Sequence, residues 1–219
     1  MLDAREKYER SLEVWSKPPS SSGKQLMVAI CLTKLGRFPD ARRSYSTSLQ
    51  SALEDRLWHL SGEINRLVET FLLSNESELL PRVLDEVEVY KLDPRGNALL
   101  PLHTYGLVCL LCGKDERAND YVPGLLKKPR IKDTFAMGGT IKSIIERDQA
   151  GFDAALGGLL NAHRGKAKFG GLRETPEGYL CLPAMSLARL ALERGMQVEL
   201  ASEYLSREYL NYICNLQEG

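Results

Sequence analysis

The residue types that most often perform catalysis are few and far apart in this chain of 219 residues. The three histidines, His59, His103 and His163, fall in three different predicted helical regions. None is next in sequence to a serine, cysteine or carboxylate in an arrangement typical of a catalytic triad. A surface histidine, or a core histidine that is hydrogen-bonded, is therefore the commoner interpretation of each.

The cysteines have one spacing that is typical of metal sites. Cys109 and Cys112 are separated by two residues, and His103 lies upstream, but no second pair of cysteines or histidines completes four ligands. The two sulfurs fall one turn apart on an apolar helix, where cysteine commonly packs as a small hydrophobic side chain. Five cysteines in mostly apolar surroundings suit free thiols in a reducing compartment. We expect no metal site.

Glycine and carboxylate patterns give no further chemistry. Gly23-Lys24 has the last glycine and the lysine of a phosphate loop, but the first glycine is missing and Gln25 replaces the serine or threonine that holds magnesium. Asp85 and Glu86 are adjacent, so on a helix they diverge by about 100 degrees and cannot share one substrate atom. The sequence therefore predicts neither a bound cofactor nor an enzyme.

The elements that carry these residues are predicted to be helices. Apolar residues recur at helical spacing through most of the chain, and Pro18-Pro19 ends the first helix. Helix pairs are predicted at Gln25–Leu35 with Pro39–Leu60 and at Glu63–Leu73 with Leu79–Leu92. Gly36 is expected to close the first helix of its pair in the left-handed conformation.

Three short segments resemble the turn of a tetratricopeptide-type helix pair: LGRFPDARRSY, CGKDERANDY and RDQAGFDAAL. They do not recur at one fixed period, so a regular array is excluded. The predicted fold is all-α, built of antiparallel helix pairs in a solenoid-like, tetratricopeptide-like but irregular single domain. Its predicted parts are an N-terminal helix (1–17), helical hairpins (24–164), a loop (165–181) and C-terminal helices (182–219).

The last third of the chain divides into a loop and two helices. The segment RGKAKFGGLRETPEGYLCL is rich in glycine and basic residues and has no helical period, which predicts a long loop. From Pro183 to Arg194 apolar residues surround the helix axis, so this helix is predicted to lie in the interior. Gly195 is the predicted helix stop, and an amphipathic helix is predicted from Ser202 to Leu216.

The charges balance overall but not locally. There are 29 lysines and arginines against 29 aspartates and glutamates, so no global field attracts nucleic acid or anionic lipid. From Glu54 to Asp93 ten acidic residues face four basic ones, and from Lys127 to Arg173 the numbers are reversed. Each region can steer a complementary partner. The alternative is that they are solvated helix faces that offset each other within the fold.

The C-terminal residues carry a family resemblance. Leu182-Pro183-Ala184, Arg194-Gly195, Val198-Glu199 and Ser206-Arg207-Glu208 follow one another in the order seen in the immunity protein 49 family of bacterial polymorphic toxin systems, which the chain resembles. ERDQAGFDAALGGLLNAHR gives weaker support. The resemblance implies a mostly helical protein that binds one cognate toxin and blocks it. Such a protein needs no catalytic group, and its specificity comes from surface complementarity.

The sequence also suggests where such a protein acts. The charged N-terminus lacks the apolar segment of a secretory signal, and no run of about 18 apolar residues is present, so we expect a cytoplasmic protein without membrane contact. A protector in the cytosol suits a toxin that acts there, such as a nuclease, which needs a basic surface for phosphate. The acidic region is then the predicted toxin-binding face, carried by Glu63, Glu69, Glu76, Glu78, Asp85, Glu86 and Glu88.

Alternatives stay open. The basic Lys166 to Arg173 segment could equally meet an acidic toxin. A general helical-repeat adaptor would bind several unrelated peptides along a groove. A nucleic-acid-binding protein would use KKPRIK and RGKAKFGGLR, but Phe135 and Phe169 are the only nearby rings for stacking, so we expect no direct nucleic-acid partner. The sequence leaves the toxin and the oligomeric state open.

Overall fold

The protein is helical throughout the part of the chain that its structure, a computed structural model, describes. That part comprises residues 3–18, 20–55, 63–89, 99–127 and 129–216. It contains eleven α-helices, two short 3-10 turns and no strand, which confirms the all-α prediction. The helices are α1 Ala4–Trp15, α2 Ser22–Lys34, α3 Phe38–Asp55, α4 Glu63–Ser74, α5 Leu80–Val89, α6 Leu99–Leu111, α7 Asp115–Leu126, α8 Lys132–Glu146, α9 Gln149–Phe169, α10 Leu182–Leu192 and α11 Arg207–Asn215. The 3-10 turns are Ser77–Leu79 and Pro176–Gly178.

Four helices have an N-cap residue whose side chain accepts a hydrogen bond from a backbone N–H of the first turn. The Asp3 carboxylate accepts from the N–H of Arg5 at the start of α1, and the Ser21 hydroxyl caps α2. Asp148 and Ser206 do the same for α9 and α11. Such caps fix the first turn of a helix and contribute about 1 kcal/mol each.

Three helix pairs are joined by turns of one construction. Gly36, Gly113 and Arg147 follow α2, α6 and α8 with φ of 73°, 67° and 53°. In each turn the N–H of the next residue donates to a carbonyl five residues earlier, as in a Schellman motif. The prediction for Gly36 is confirmed, and so is the predicted helix stop at Gly195, where φ is 77°.

Some predicted boundaries differ from the structure. Helix α9 continues to Phe169, whereas the sequence predicted a loop from residue 165. Lys166, Ala167 and Lys168 favour helix strongly enough to offset the cost of Gly165. The last helix begins at Arg207 instead of Ser202, because Ser206 is its capping residue. The predicted helix ends at Leu60 and Leu92 lie outside the described residues.

Helix α10 lies at the centre of the fold. It packs against α4, α6, α8, α9 and α11. Every side chain from Leu182 to Ala191 except Pro183 is buried, which confirms the predicted interior helix. Small residues such as Ala184 and Ala188 let neighbouring helices approach closely on several sides.

A buried arginine ties α10 to the end of α4. Arg189 is 5% exposed and donates to the carbonyl oxygen of Leu72. It also donates to Asn75 Oδ1 at 2.7 Å and to Glu193 Oε1 at 2.9 Å. Its guanidinium thereby satisfies a carbonyl at the C-terminus of α4, where positive charge is favourable.

The other helices pack mainly against their neighbours in the chain, as successive helix pairs should. Helix α10 differs, because it also contacts helices that are distant from it in the sequence. The solenoid-like description and the single domain with its predicted internal boundaries therefore stay predictions. Among the described residues, no helix combines the length and apolar character needed to cross a lipid bilayer.

Candidate functional site

The acidic residues predicted to bind the toxin do not share one environment. The side chain of Glu63 lies outside the described residues, although α4 begins there. Glu69 is buried, Glu76 and Glu86 are partly buried, and the exposed members are Glu78, Asp85 and Glu88. The predicted set thus contains one buried carboxylate, Glu69, and three exposed ones, Glu78, Asp85 and Glu88.

Glu69 faces the interior because almost the whole of α4 is buried. Every side chain from Ile64 to Ser74 except Arg66 is withdrawn from solvent, and Glu69 is 4% exposed. Burial raises the pKa of Glu69, while His103 and Arg66 oppose the rise. A partner cannot contact Glu69 on the outer surface, which the charge count alone did not indicate.

Glu76 is held by contacts within the protein. Its Oε1 atom lies 3.3 Å from Nη2 of Arg42, and its side chain is 16% exposed. Burial and the carboxylate of Glu78 raise the pKa of Glu76, while the pKa of Glu78 falls because that carboxylate accepts a hydrogen bond from Glu76. Of this pair, Glu78 is the one available to a partner.

The exposed carboxylates of α5 extend towards α7. Asp85 and Glu88 are three residues apart, so they lie on the same side of the helix. Burial raises the pKa of Tyr121 on α7, and the nearby charges of Asp120 and Glu88 contribute to the rise. We name Glu78, Asp85 and Glu88 the acidic surface.

A cavity of about 160 Å³ lies between α4, α8, α9, α10 and the turn at Pro176–Gly178. Its walls combine apolar side chains with an unusual number of ionisable ones. The ionisable groups other than its cysteine are Arg66, Glu69, Asp133, His163, Lys166 and Glu177. Together they span more than 100 positions of the sequence, so helix packing brings the α4 residues to the others.

Two ion pairs form the rim of this cavity. Arg66 Nη2 lies 2.6 Å from Glu177 Oε1, and Lys166 pairs with Asp133. The side chains of Arg66 and Lys166 are 48% and 55% exposed, so the rim reaches solvent. Burial would raise the pKa of Asp133, but the hydrogen bond and charge of Lys166 outweigh it and lower that pKa.

Glu69 and His163 line the inner part of the cavity. Oε1 of Glu69 lies 3.6 Å from Nε2 of His103, which is too long for a hydrogen bond. Cys181 lies beside them at 1% exposure, and burial raises the pKa of its thiol to about 12. This cysteine is therefore a thiol at neutral pH and a weak nucleophile.

His163 is held as a neutral imidazole. Burial lowers its pKa to about 4, although its hydrogen bond to the backbone oxygen of Gly178 favours the charged form. Its Nε2 atom has no hydrogen-bond partner among the described residues. Because Nε2 has no partner in that part of the chain, we assign the proton that faces the Gly178 oxygen to Nδ1 and the lone pair to Nε2.

The other residues singled out from the sequence lie elsewhere. Cys109 and Cys112 are half-buried free thiols, and His59 is outside the described residues. Within the part of the chain that is described, no group of three or more histidine, cysteine or carboxylate side chains could hold a metal ion.

The basic segment is partly neutralised. Lys166 pairs with Asp133, and Lys168 Nζ lies 3.7 Å from Glu203 Oε1. Phe169, at the end of α9, is 89% exposed.

Sequence reasoning missed the cavity because no motif joins its residues. One local signal was present: His163 continues the buried face of α9 that includes Phe152, Leu156 and Leu159. A histidine on such a face must be neutral or paired. The carboxylate that accompanies it comes from α4, which the spacing within α9 cannot reveal.

The comparison with family models agrees with the resemblance seen in the C-terminal residues. Residues 135–207, about a third of the chain, match the model described as Immunity protein 49. The match spans most of α8, all of α9 and α10, and the first residue of α11. The family's name supports a role as an immunity protein. No curated protein and no solved structure matches the chain.

Proposed function

We propose that this chain is an immunity protein that binds one cognate secreted bacterial toxin in the cytosol and neutralises it by covering its surface. The observation that carries the proposal is the match of residues 135–207 to the Immunity protein 49 model. The buried helical core supports it, because a protein that blocks another by shape must be folded before the encounter. Occlusion of this kind requires no reaction from the inhibitor.

The toxin in this proposal is a nuclease. A nuclease carries a basic surface that binds phosphate groups. Carboxylates on an inhibitor complement such a surface, accelerate the encounter and disfavour partners of the wrong charge. The acidic surface has this character because its three carboxylates are exposed.

Burial and internal contacts support a choice among the predicted contact residues that leaves this acidic surface. Glu69 is buried and Glu76 is engaged with Arg42, so neither is offered to a partner on the outer face. We propose Glu78, Asp85 and Glu88 as the contacts, with Glu86 at the edge of the interface.

The test first identifies the toxin as a secreted protein domain, encoded by a neighbouring gene, that kills cells unless this chain is co-expressed. The affinity of this domain is measured by calorimetry at low and high salt against the wild type and against Glu78→Gln/Asp85→Asn/Glu88→Gln. Loss of three interfacial charges should weaken binding by about tenfold or more at low salt, which is about 1.4 kcal/mol. The salt dependence should become shallower, because fewer ion pairs are screened.

A matched variant controls for the loss of net charge. Glu6→Gln/Glu9→Gln/Glu13→Gln removes three exposed carboxylates from α1 and should bind as the wild type does. If both triple variants bind alike, the acidic surface is not the interface. If the toxin neither binds this chain nor is neutralised by it in co-expression, the immunity function itself is wrong.

One observation favours a second candidate, a nucleic-acid-binding protein. Phe169 is an exposed ring close in sequence to Lys168 and Arg173, and such rings stack on bases. A gel shift with single-stranded RNA and DNA at low salt, compared with Phe169→Ala, tests it. The absence of a complex would reject this candidate. Retention of several unrelated proteins in a pull-down would instead favour a general adaptor.

A further inference from the structure

We propose that the cavity lined by Glu69 and His163 binds a primary ammonium group, and that this group is the head of a lysine side chain of the toxin. The first half concerns the cavity alone. The second half rests on the proposed function.

The cavity connects solvent to a buried interior. The rim cations are about half exposed, whereas Glu69, Cys181 and His163 beneath them are 4%, 1% and 8% exposed. Its volume of about 160 Å³ exceeds by roughly tenfold the 15 Å³ that one water molecule requires. An ammonium group with the last methylenes of a lysine side chain therefore fits.

The charges select a cation. Arg66 with Glu177, and Lys166 with Asp133, neutralise each other at the rim. Glu69 is then the carboxyl group of the lining that has no lysine or arginine in an ion pair with it, as far as the described residues show. Burial destabilises the charged form of Glu69. An ammonium ion next to this carboxylate would stabilise it.

The hydrogen-bonding groups select a donor. The Nε2 lone pair of His163 lacks a partner among the described residues, and a buried acceptor without a donor costs free energy. Because the imidazole is neutral, it does not repel a cation. An ammonium group has three N–H donors and no acceptor, so it suits a cavity lined by the acceptors of Glu69 and His163. An anion would meet two electron-rich groups and is disfavoured.

A lysine of the toxin placed here would act as an anchor. Charged pairs that are fully desolvated at the centre of an interface often carry much of the binding free energy, and exposed pairs at its edge carry little. The cavity would then fix the position of the toxin, while the acidic surface would accelerate the encounter.

The cavity is tested first without the toxin. n-Butylammonium chloride is titrated into the 219-residue protein while the side-chain NMR signals of His163 are followed, with n-butanol as the neutral probe of similar size. We expect saturable shifts with n-butylammonium and at least tenfold weaker effects with n-butanol. Glu69→Gln removes the charge without changing the shape and should weaken n-butylammonium binding at least tenfold, whereas Glu9→Gln on α1 should not change it.

Each other outcome overturns the assignment. Equal binding of n-butylammonium and n-butanol, or equal binding by the wild type and Glu69→Gln, would show that no cation is recognised. An absence of binding at 100 mM n-butylammonium would do the same. Far-ultraviolet circular dichroism confirms that Glu69→Gln is folded, and Gln at this position relieves the burial of a charge, so it should not unfold the protein.

The toxin then separates the two halves of the proposal. Wild type and Glu69→Gln are compared for toxin affinity, and a tenfold or greater loss for Glu69→Gln is expected. If the toxin binds both equally, the cavity does not receive a toxin lysine, although the immunity function stands. If n-butylammonium binds but the toxin does not, the cavity stands and the proposed function fails.

Discussion

Burial acts on His163 and Glu69 in opposite directions. It lowers the pKa of the imidazole and raises that of the carboxyl group, because in each case the charged form is the one that loses its hydration. Both residues therefore move towards neutrality inside the fold. A ligand that restores charge to one of them must enter from the rim.

The buried state of His163 predicts how stability depends on pH. Its pKa falls from 6.5 to about 4 on folding, so the unfolded chain binds the proton more tightly. The stabilisation is fully present above pH 6.5 and is lost as the pH falls towards 4. Linkage gives a loss of up to about 3 kcal/mol over that interval.

The measurement is urea unfolding between pH 7.5 and pH 4 for the wild type and for His163→Gln. The wild type should lose more free energy of unfolding on acidification than the variant, because the variant has no imidazole to protonate at this position. Parallel pH profiles for the two proteins would show that His163 is not the group responsible.

At this scale the sequence predicted residue environments only in part. Each histidine was predicted to be either a surface residue or a hydrogen-bonded core residue, and His163 and His103 are both buried. Glu69, by contrast, was predicted to lie on an exposed acidic face. A count of charges along the chain cannot tell which helix is surrounded by others, and α4 is buried on nearly all sides.

At the scale of elements, the three hairpin turns repeat one geometry with different residues. Gly36 and Gly113 occupy the left-handed position in the first two, and Arg147 occupies it in the third. Glycine adopts this conformation without a steric penalty, whereas a residue with a Cβ atom pays about 1 kcal/mol or more. The third turn is therefore the strained member of the set.

This comparison predicts opposite effects for two substitutions. Arg147→Gly should raise the free energy of unfolding by up to about 1 kcal/mol, because it removes the left-handed penalty. Gly113→Ala should lower it by about 1 kcal/mol, although a Cβ atom there would meet no other atom within 4 Å. Chemical denaturation of both variants measures the changes, and a loss of stability in Arg147→Gly would contradict the argument.

Turn chemistry also explains which element boundaries could be predicted. Glycine indicates the stops after α2, α6 and α10, because few other residues adopt positive φ. The use of glycine as a stop signal gave a wrong prediction for the end of α9, because Gly165 lies inside that helix. At Arg147 no residue type signals the turn, and the resemblance of RDQAGFDAAL to the other two turn segments was the available clue.

At the scale of the whole molecule, α10 connects both halves of the chain. It packs against α4 and α6 and also against α8 and α9, and Arg189 binds the end of α4. Separate unfolding of either half would expose this apolar helix and leave the buried guanidinium without its partners. We therefore expect the molecule to unfold as one unit.

Thermal and urea unfolding test this expectation. The helical signal at 222 nm and the near-ultraviolet signal of the tyrosines should follow one transition with the same midpoint. Substitution of Arg189 by Met should shift that midpoint without splitting the transition. Two separated transitions in the wild type would show that the halves are independent domains, against the predicted single domain.

The central position of α10 also affects how the protein is made. Because this helix begins at Leu182, more than 180 residues must be translated before it can fold into place. Until then, the faces of α4 and α6 that pack against α10 in the folded protein remain unburied. For the immunity function proposed above, the cell would be protected only after the whole chain is made, so finished molecules would have to be present before the toxin arrives.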